Sequence, residues 1–188
     1  MELTAIILAL LYLLLAARQS LWCWLAGAFS CAIYTYLMLG AQLYMEAALQ
    51  AIYVALAGYG WWQWRYGAAT AEALAQPGYS WRWHGSAIVV LTVVSVACAL
   101  LLQHYTNADE VWLDSFTTIF SLFATWLLTR KLFSNWLYWL VIDSMYIYLY
   151  AIKGFEKTSG LFAIYIVLIL YAMWNWRRSQ KDLCNSTG

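Results

Sequence analysis

Seven long apolar segments, separated by short polar stretches, constrain this chain more than any other feature of its sequence. They cover Leu3–Ala17, Leu21–Leu39, Leu43–Trp64, Ser86–His104, Val111–Thr129, Leu132–Ile152 and Thr158–Trp176. A helix needs about 20 residues to cross the hydrocarbon core of a bilayer, and most of the segments reach that length. The sequence therefore predicts an all-α integral membrane protein with seven transmembrane helices.

The composition supports this prediction and excludes most soluble functions. Hydrophobic residues make up 65% of the chain and charged residues only 10%, whereas a typical soluble domain is about 25% charged. The net charge of +1 offers no basic surface for nucleic acid. The phosphate-binding GxxxxGK[ST] loop and the zinc-binding HExxH motif are both absent from the sequence. We therefore predict neither an enzyme nor an ATP-driven pump, with no cofactor, no metal site and no nucleic-acid partner.

The positively charged residues predict the orientation of the helices. If the odd-numbered segments end on one side, that side receives eight Lys or Arg residues, and the other receives only Lys153 and Lys157. Because positive residues concentrate on the cytoplasmic side, we expect the N-terminus outside and the C-terminus in the cytoplasm. Nine tryptophans fall near the predicted cytoplasmic interface, where we expect them to anchor the protein as an aromatic belt: Trp22, Trp24, Trp61, Trp62, Trp64, Trp81, Trp83, Trp174 and Trp176.

The two ends of the chain repeat each other at a fixed offset of 112 residues. Without a gap, this offset pairs Arg18 with Arg130, Trp24 with Trp136, Tyr34 with Tyr146, Tyr53 with Tyr165, Trp64 with Trp176 and Arg65 with Arg177. Three segments form each copy and one lies between them, so both copies face the same way across the membrane. We predict one membrane domain (1–188), with a first repeat over 1–65, a linker helix over 86–104 and a second repeat over 111–177. Parallel 3+1+3 repeats are typical of SWEET-like transporters, with the substrate between the repeats near the midplane.

Polar residues that occur in only one repeat are the candidate binding residues, because polar groups inside a membrane are costly. Asp143 lies at the centre of the sixth segment and is paired with Cys31 by the 112-residue offset. Trp139 and Tyr146 lie one helical turn to either side on the same face. A carboxylate flanked by aromatic rings suits a flat organic cation, through charge pairing and cation–π attraction. A buried aspartate held by neighbouring hydroxyls is the structural alternative.

Two further segments carry candidate polar residues. Glu46 and Gln50 lie one turn apart on the third segment, and the Gln50 amide suits sugar hydroxyls or a carboxamide. Asp114 opens the fifth segment, which continues with a strip of hydroxyl side chains: Thr118, Ser121 and Thr125. Such strips also form hydrogen bonds between membrane helices, so helix packing is the alternative for these residues.

Two stretches of the sequence resemble the PnuC-type family of vitamin transporters. They are LYMEAALQAIYVALAGYGWWQW at residues 43–64 and WLDSFTTIFSLFATWLLTRKLFSNWLYWLVIDSMYIYLYAIKG at residues 112–154, of which NWLYWLVID is the most specific part. The resemblance implies a SWEET-like homo-oligomer, often a trimer, in a bacterial inner membrane. It also implies facilitated diffusion of nicotinamide riboside, with a cytoplasmic kinase that phosphorylates the nucleoside and traps it.

Carried over by its motifs, the resemblance implies substrate-binding roles for Gln50, Trp139, Asp143, Thr118 and Ser121. The sequence lacks the long N-terminal extension of some members, which favours the thiamine-carrying branch, PnuT. Nicotinamide riboside and thiamine are both flat aromatic cations with a hydroxylated part, so the residues leave both open, with nicotinamide riboside first. Proton-coupled transport through Glu46 or Asp143 is a further alternative, and a membrane enzyme or structural protein is the last.

Overall fold

Seven α-helices form the computed structural model, which describes residues 2–40, 44–67, 78–105, 111–152 and 156–186. The helices are α1 (Glu2–Ala17), α2 (Cys23–Gly40), α3 (Tyr44–Tyr66), α4 (Trp81–Tyr105), α5 (Val111–Thr129), α6 (Ser134–Ile152) and α7 (Glu156–Ser186). Each helix falls on one predicted segment, which confirms the all-α fold.

Two helices extend beyond their predicted apolar segments by more than a helical turn. α4 begins at Trp81 rather than at Ser86, because the Ser80 hydroxyl accepts a hydrogen bond from the Trp83 backbone N–H (3.3 Å) and caps the first turn. α7 continues past its apolar stretch to Ser186, through polar residues that include no helix-breaking Gly or Pro. Hydrophobicity thus marks the part of a helix suited to lipid, whereas capping and backbone propensity set where the helix ends.

The helices differ in how apolar they are. Within the described residues, four helical stretches are long and apolar enough to cross a membrane: α2, the Trp81–His104 part of α4, α5 and the Ser159–Gln180 part of α7. The apolar Leu3–Ala17 stretch of α1 is shorter. On α4, Val89 and Val93 are both 63% exposed, as expected of a helix whose apolar side chains face lipid rather than a protein core.

The helices pack as two equivalent triplets, α1–α3 and α5–α7. Within each triplet, consecutive helices contact each other. Between the triplets, α1 packs against α7 and α3 packs against α5. The two contacts are equivalent, because each joins the first helix of one triplet to the third helix of the other. α4 joins the triplets and packs against α5. The predicted 3+1+3 arrangement is therefore confirmed, while the residue boundaries of the repeats stay a prediction.

The turn after the first helix of each triplet has the same unusual backbone. Gln19 has a φ of 55° and its repeat equivalent, Lys131, has a φ of 53°, a left-handed conformation that ends many helices. The next backbone N–H, of Ser20 or Leu132, donates to the carbonyl five residues earlier at 2.9 and 3.1 Å respectively. Both turns are Schellman motifs, so the 112-residue repeat extends to individual hydrogen bonds.

Four buried tryptophans form the centre of the hydrophobic core, and we call them the tryptophan cluster: Trp24, Trp64, Trp136 and Trp176. Trp24 meets Trp64 edge-to-face at 5.3 Å between ring centroids, and the equivalent pair in the other triplet meets at 5.6 Å. None of the four is more than 8% exposed. The predicted anchoring role at the membrane interface is therefore wrong for Trp24, Trp64 and Trp176, which face the bundle interior; Trp22, Trp62, Trp81 and Trp174 are exposed.

Candidate functional site

A cavity of about 380 Å³ lies between the two triplets, next to the tryptophan cluster. All six helices of the triplets contribute to its wall, and α4 does not. Six of the seven predicted site residues line it: Gln50, Thr118, Ser121, Trp139, Asp143 and Tyr146. The seventh, Glu46, has a side chain that lies outside the described residues. A larger groove of about 1280 Å³ between α4, α5, α6 and the end of α7 contains none of the predicted residues in its lining.

Asp143 supplies a carboxylate to the cavity wall from the middle of α6. Its side chain is only 4% exposed, and Trp139 lines the cavity one turn before it. Cys31, the repeat equivalent of Asp143, also lines the cavity, so the carboxylate occurs in one triplet only. None of the described residues of the wall is a Lys, Arg or His. The carboxyl groups of Asp143 and Asp114 therefore face this cavity without a positively charged side chain among the described residues of its wall.

Aromatic rings make up much of the remaining wall: Tyr12, Trp24, Tyr34, Tyr53, Trp136, Trp139, Tyr146, Phe162 and Tyr165. Tyr146 and Phe162 stack with their centroids 4.8 Å apart and their planes inclined by 26°. Ring faces offer stacking surface to a planar ligand and attract cations electrostatically. The wall can thus bind a flat ring and favours one that carries positive charge.

The triplets exchange a large and a small residue at two equivalent positions of the wall. In the first triplet, Tyr12 packs so closely on Gly27 that a Cβ at Gly27 would lie 2.9 Å from the ring. The repeat equivalents of these residues are Ala124 and Trp139. The large ring therefore comes from α1 in one triplet and from α6 in the other, where it lies one turn from Asp143.

A polar strip on α5 forms another part of the wall. The Thr125 hydroxyl donates to the Ser121 carbonyl (2.8 Å), and the Ser121 hydroxyl donates to the Thr118 carbonyl (3.0 Å), as hydroxyl residues inside membrane helices commonly do. The Tyr53 hydroxyl of α3 shares a hydrogen bond with the Ser121 hydroxyl. The strip thus helps to pack the helices, and its hydroxyl residues also line the cavity beside Gln50.

Several aromatic residues of the wall were not predicted as site residues. The repeat pairs Tyr34 and Tyr53 with Tyr146 and Tyr165, whereas Tyr12 and Phe162 have no aromatic equivalent in it. Identical aromatic residues inside two repeated segments could have pointed to Tyr34 and Tyr53. No sequence signal identifies Tyr12, because its place in the wall depends on the close approach of α2 at Gly27.

At the tryptophan cluster, side chains of one triplet bind the other. The Trp64 Nε1–H donates to the Leu128 carbonyl (3.1 Å), and the Trp176 Nε1–H donates to the Ala16 carbonyl (3.1 Å). The Lys131 ammonium, between α5 and α6, lies 4.8 Å from the centroid of the Trp64 ring, and burial lowers the pKa of Lys131. The cavity is therefore bounded at this end by contacts between the triplets.

Comparison with known proteins identifies the family. Residues 1–178 match the sequence profile of a family described as nicotinamide mononucleotide transporter. The riboflavin/roseoflavin transporter RibM of Streptomyces davaonensis is 30% identical over 180 residues, which cover 94% of this chain and 84% of RibM. The crystal structure of the vitamin B3 transporter PnuC superimposes with a TM-score of 0.74 at 21% sequence identity, over 96% of this chain and 82% of that one.

The fold, the repeat and the sequence match agree with one another. The PnuC structure shares the arrangement of helices described above, and RibM extends the similarity over nearly the whole sequence. The resemblance seen in the sequence is thereby confirmed. The chain belongs to the nicotinamide mononucleotide transporter (PnuC) family and is a multi-pass membrane protein with the fold of a vitamin transporter.

Proposed function

We propose that this protein carries a flat, positively charged vitamin or vitamin precursor across the membrane by facilitated diffusion with alternating access. Asp143 carries the proposal, since it is a buried carboxylate in a ring-lined wall that has no described Lys, Arg or His. A buried carboxylate is costly unless it is paired, and a cationic ligand supplies the pair. Nicotinamide riboside is the first candidate and thiamine the second, because both combine a planar cationic ring with hydroxyl groups.

The residues around Asp143 suit the two parts of such a molecule. Trp139 and Tyr146 flank the carboxylate on α6, and a cation over an aromatic ring gains about 0.5–2 kcal/mol. Gln50 on α3 and Ser121 on α5 offer donors and acceptors for hydroxyl groups. We therefore propose that the cationic ring binds beside α6, with the hydroxylated part directed towards α3 and α5.

Riboflavin, an uncharged vitamin, is the third candidate substrate, favoured by the 30% identity to RibM over nearly the whole chain. Its larger ring system can stack on the aromatic wall, but it carries no positive charge at neutral pH. Riboflavin would therefore gain little from Asp143, whereas the two cations would gain charge pairing. The contribution of the Asp143 carboxylate therefore distinguishes the two classes of substrate.

Counterflow in liposomes tests the proposal. Purified protein is reconstituted, the liposomes are loaded with unlabelled vitamin, and entry of labelled nicotinamide riboside, thiamine or riboflavin is followed separately without an ion gradient. We expect saturable entry of at least one of the two cations. Entry that requires an imposed pH gradient would favour the proton-coupled alternative, and entry of riboflavin alone would contradict the cationic proposal.

The Asp143→Asn variant makes this test specific. Removing a charged partner weakens binding by about 1.5–3 kcal/mol, or about ten- to a hundredfold in affinity. The matched control is Asp114→Asn, because Asp114 also lines the cavity but is exposed at the first turn of α5. We expect a much smaller effect of that control on the cations, and little effect of either variant on riboflavin.

The setting of this transport is also part of the proposal. The cation bias of the sequence supports an N-terminus outside and a C-terminus in the cytoplasm of a bacterial inner membrane. The family resemblance supports a homo-oligomer, such as a trimer, and a cytoplasmic kinase that traps the substrate after entry. Such trapping would give direction to a carrier that itself only equilibrates its substrate.

A further inference from the structure

The hydrogen bonds at the tryptophan cluster are one interaction made twice. Trp64 donates to Leu128, the last-turn carbonyl of α5, and Trp176 donates to Ala16, the last-turn carbonyl of α1, both at 3.1 Å. The two donors are repeat equivalents, and so are the two acceptors. Each bond joins one triplet to the other. Exchanging the triplets thus reproduces the same pair of contacts.

Other contacts between the triplets lie at the same end. The Asn175 side-chain amide of α7 donates to the Ala17 carbonyl of α1 (2.9 Å). The buried core that surrounds these bonds draws on both triplets, with Ala57 and Cys23 from the first and Ile169 and Ala172 from the second. These packed side chains therefore border the cavity at this end.

These contacts can break without unfolding a helix. The Leu128 and Ala16 carbonyls already accept backbone N–H groups within their Schellman turns, and the indole N–H uses the second lone pair of each oxygen. The edge-to-face tryptophan pairs, by contrast, lie within a single triplet: Trp24 with Trp64, and Trp136 with Trp176. Separation of the triplets would therefore leave each tryptophan pair intact and break the indole–carbonyl bonds.

We propose that Trp64 and Trp176 are the gate residues of this end, and that their indole–carbonyl hydrogen bonds must break before a solute can leave the cavity there. This proposal rests on the transport function proposed above, because a carrier must open at each end in turn. In carriers built from repeats, alternating access is largely a movement of one repeat against the other. We call the two equivalent indole–carbonyl hydrogen bonds the latch, because they hold the two triplets together at this end.

Cys31 provides a reporter that needs no substrate. It lines the cavity, and replacing Cys23, Cys98 and Cys184 leaves it as the single thiol of the chain. In sealed vesicles of each orientation, a membrane-impermeant maleimide then reports from which face the cavity is accessible. A second reporter identifies the face of the membrane on which the latch lies. It is Arg178→Cys in a cysteine-free chain, at an exposed position near Trp176, and the same maleimide labels it from that face only.

Phenylalanine at both gate positions removes the indole donors and keeps an aromatic ring. In the parent we expect Cys31 to react mainly from the face opposite the Arg178→Cys marker. In Trp64→Phe/Trp176→Phe we expect the rate from the marker face to rise about tenfold or more, since each hydrogen bond contributes up to about tenfold to the opening equilibrium. The matched control, Trp62→Phe/Trp174→Phe, alters an equivalent but exposed pair and should leave both rates unchanged.

The proposal fails if Cys31 in the parent reacts equally fast from both faces, or if the double Phe variant labels like its control. Asn175→Leu is a second, milder test at the same end. We expect it to raise labelling from the marker face by a smaller factor, and the absence of any rise would count against the proposal. Retained labelling from the opposite face shows that each variant is folded. Because labelling needs no vitamin, a failed transport assay and a failed gate remain distinguishable.

Discussion

The tryptophan cluster and the cavity wall beside it are built from the same repeated helices, but the triplets agree in one region and differ in the other. Both triplets contribute the same edge-to-face tryptophan pair and the same indole–carbonyl bond to the cluster. In the wall, Trp139 and Asp143 stand where the other triplet has Gly27 and Cys31. Agreement between the repeats thus accompanies the packing of the cluster, and Asp143 and Trp139 of the candidate site lie where the repeats differ.

The largest effect is expected where the triplets agree. Trp176→Ala removes a ring that is 0% exposed, together with its hydrogen bond to Ala16. Truncation of a buried tryptophan typically costs about 3–5 kcal/mol in the free energy of unfolding. We expect Trp64→Ala, its repeat equivalent, to cost a similar amount. Chemical denaturation of the purified protein in detergent measures both.

Trp174→Ala is the matched control for the stability prediction. Trp174 lies two residues from Trp176 on the same helix but is 57% exposed, so its removal should change stability by about 0.5 kcal/mol or less. Equal losses for Trp174→Ala and Trp176→Ala would contradict the view that the cluster holds the triplets together.

A smaller effect, on binding rather than folding, is expected where the triplets differ. Trp139→Ala should weaken binding of a cationic vitamin by about 1–2 kcal/mol through loss of the cation–π contact. Trp139 is only partly buried and faces the cavity, so its removal should cost less stability than removal of Trp176. Binding calorimetry and thermal denaturation of the same preparation separate the two effects. If Trp139→Ala lowered stability but left the affinity for the vitamin unchanged, Trp139 would belong with the packing residues and not with the binding residues.

Gln50 tests the polar side of the wall. Gln50→Leu keeps the approximate volume but removes the amide, and its repeat equivalent is already the apolar Phe162. We expect a loss of about 1 kcal/mol in the binding of a ligand whose hydroxyl or carboxamide the amide contacts. Thr125→Val is the control, because the Thr125 hydroxyl is used by the Ser121 carbonyl. Equal losses for the two variants would indicate general damage to the wall.

A similarly small effect, on folding, is expected for a hydrogen bond between the triplets that Tyr53 makes and that has no counterpart at its repeat equivalent. Tyr53→Phe removes the bond to Ser121 between α3 and α5 and should lower the free energy of unfolding by about 0.5–1.5 kcal/mol. Its repeat equivalent, Tyr165, faces the helix on which Ala9 replaces Ser121. Tyr165→Phe should therefore have less effect in the same denaturation experiment, and a larger loss for Tyr165→Phe would contradict this assignment.

The fold and most of the candidate site could be predicted from the sequence, because both depend on periodic features. Apolar segments of membrane length predict the helices, and the 112-residue offset predicts two triplets that meet at a central cavity. Comparison of the repeats then singles out Asp143 and Gln50, whose equivalents are Cys31 and Phe162. Both line the cavity, and their roles in binding stay predictions.

Other features depend on contacts that no local pattern reveals. Tyr12 reaches the cavity wall because Gly27 lets its ring approach α2, which is a property of two helices together. Trp64 and Trp176 are tryptophans near the ends of apolar segments, as interfacial anchors are. They are nevertheless buried, and each donates a hydrogen bond to a carbonyl of the other triplet. The end of α7 was also missed, since its last turns are polar but still helical.

The central claim is that the cavity selects for positive charge through Asp143, and binding of matched charged and neutral ligands tests it most directly. Calorimetry on the purified protein would compare nicotinamide riboside with its uncharged dihydro form, and thiamine with its uncharged 3-deaza analogue. We expect at least one cation to bind about tenfold or more tightly than its neutral partner, since a charged hydrogen-bonded pair contributes about 1.5–3 kcal/mol. Equal affinities within both pairs would contradict the claim.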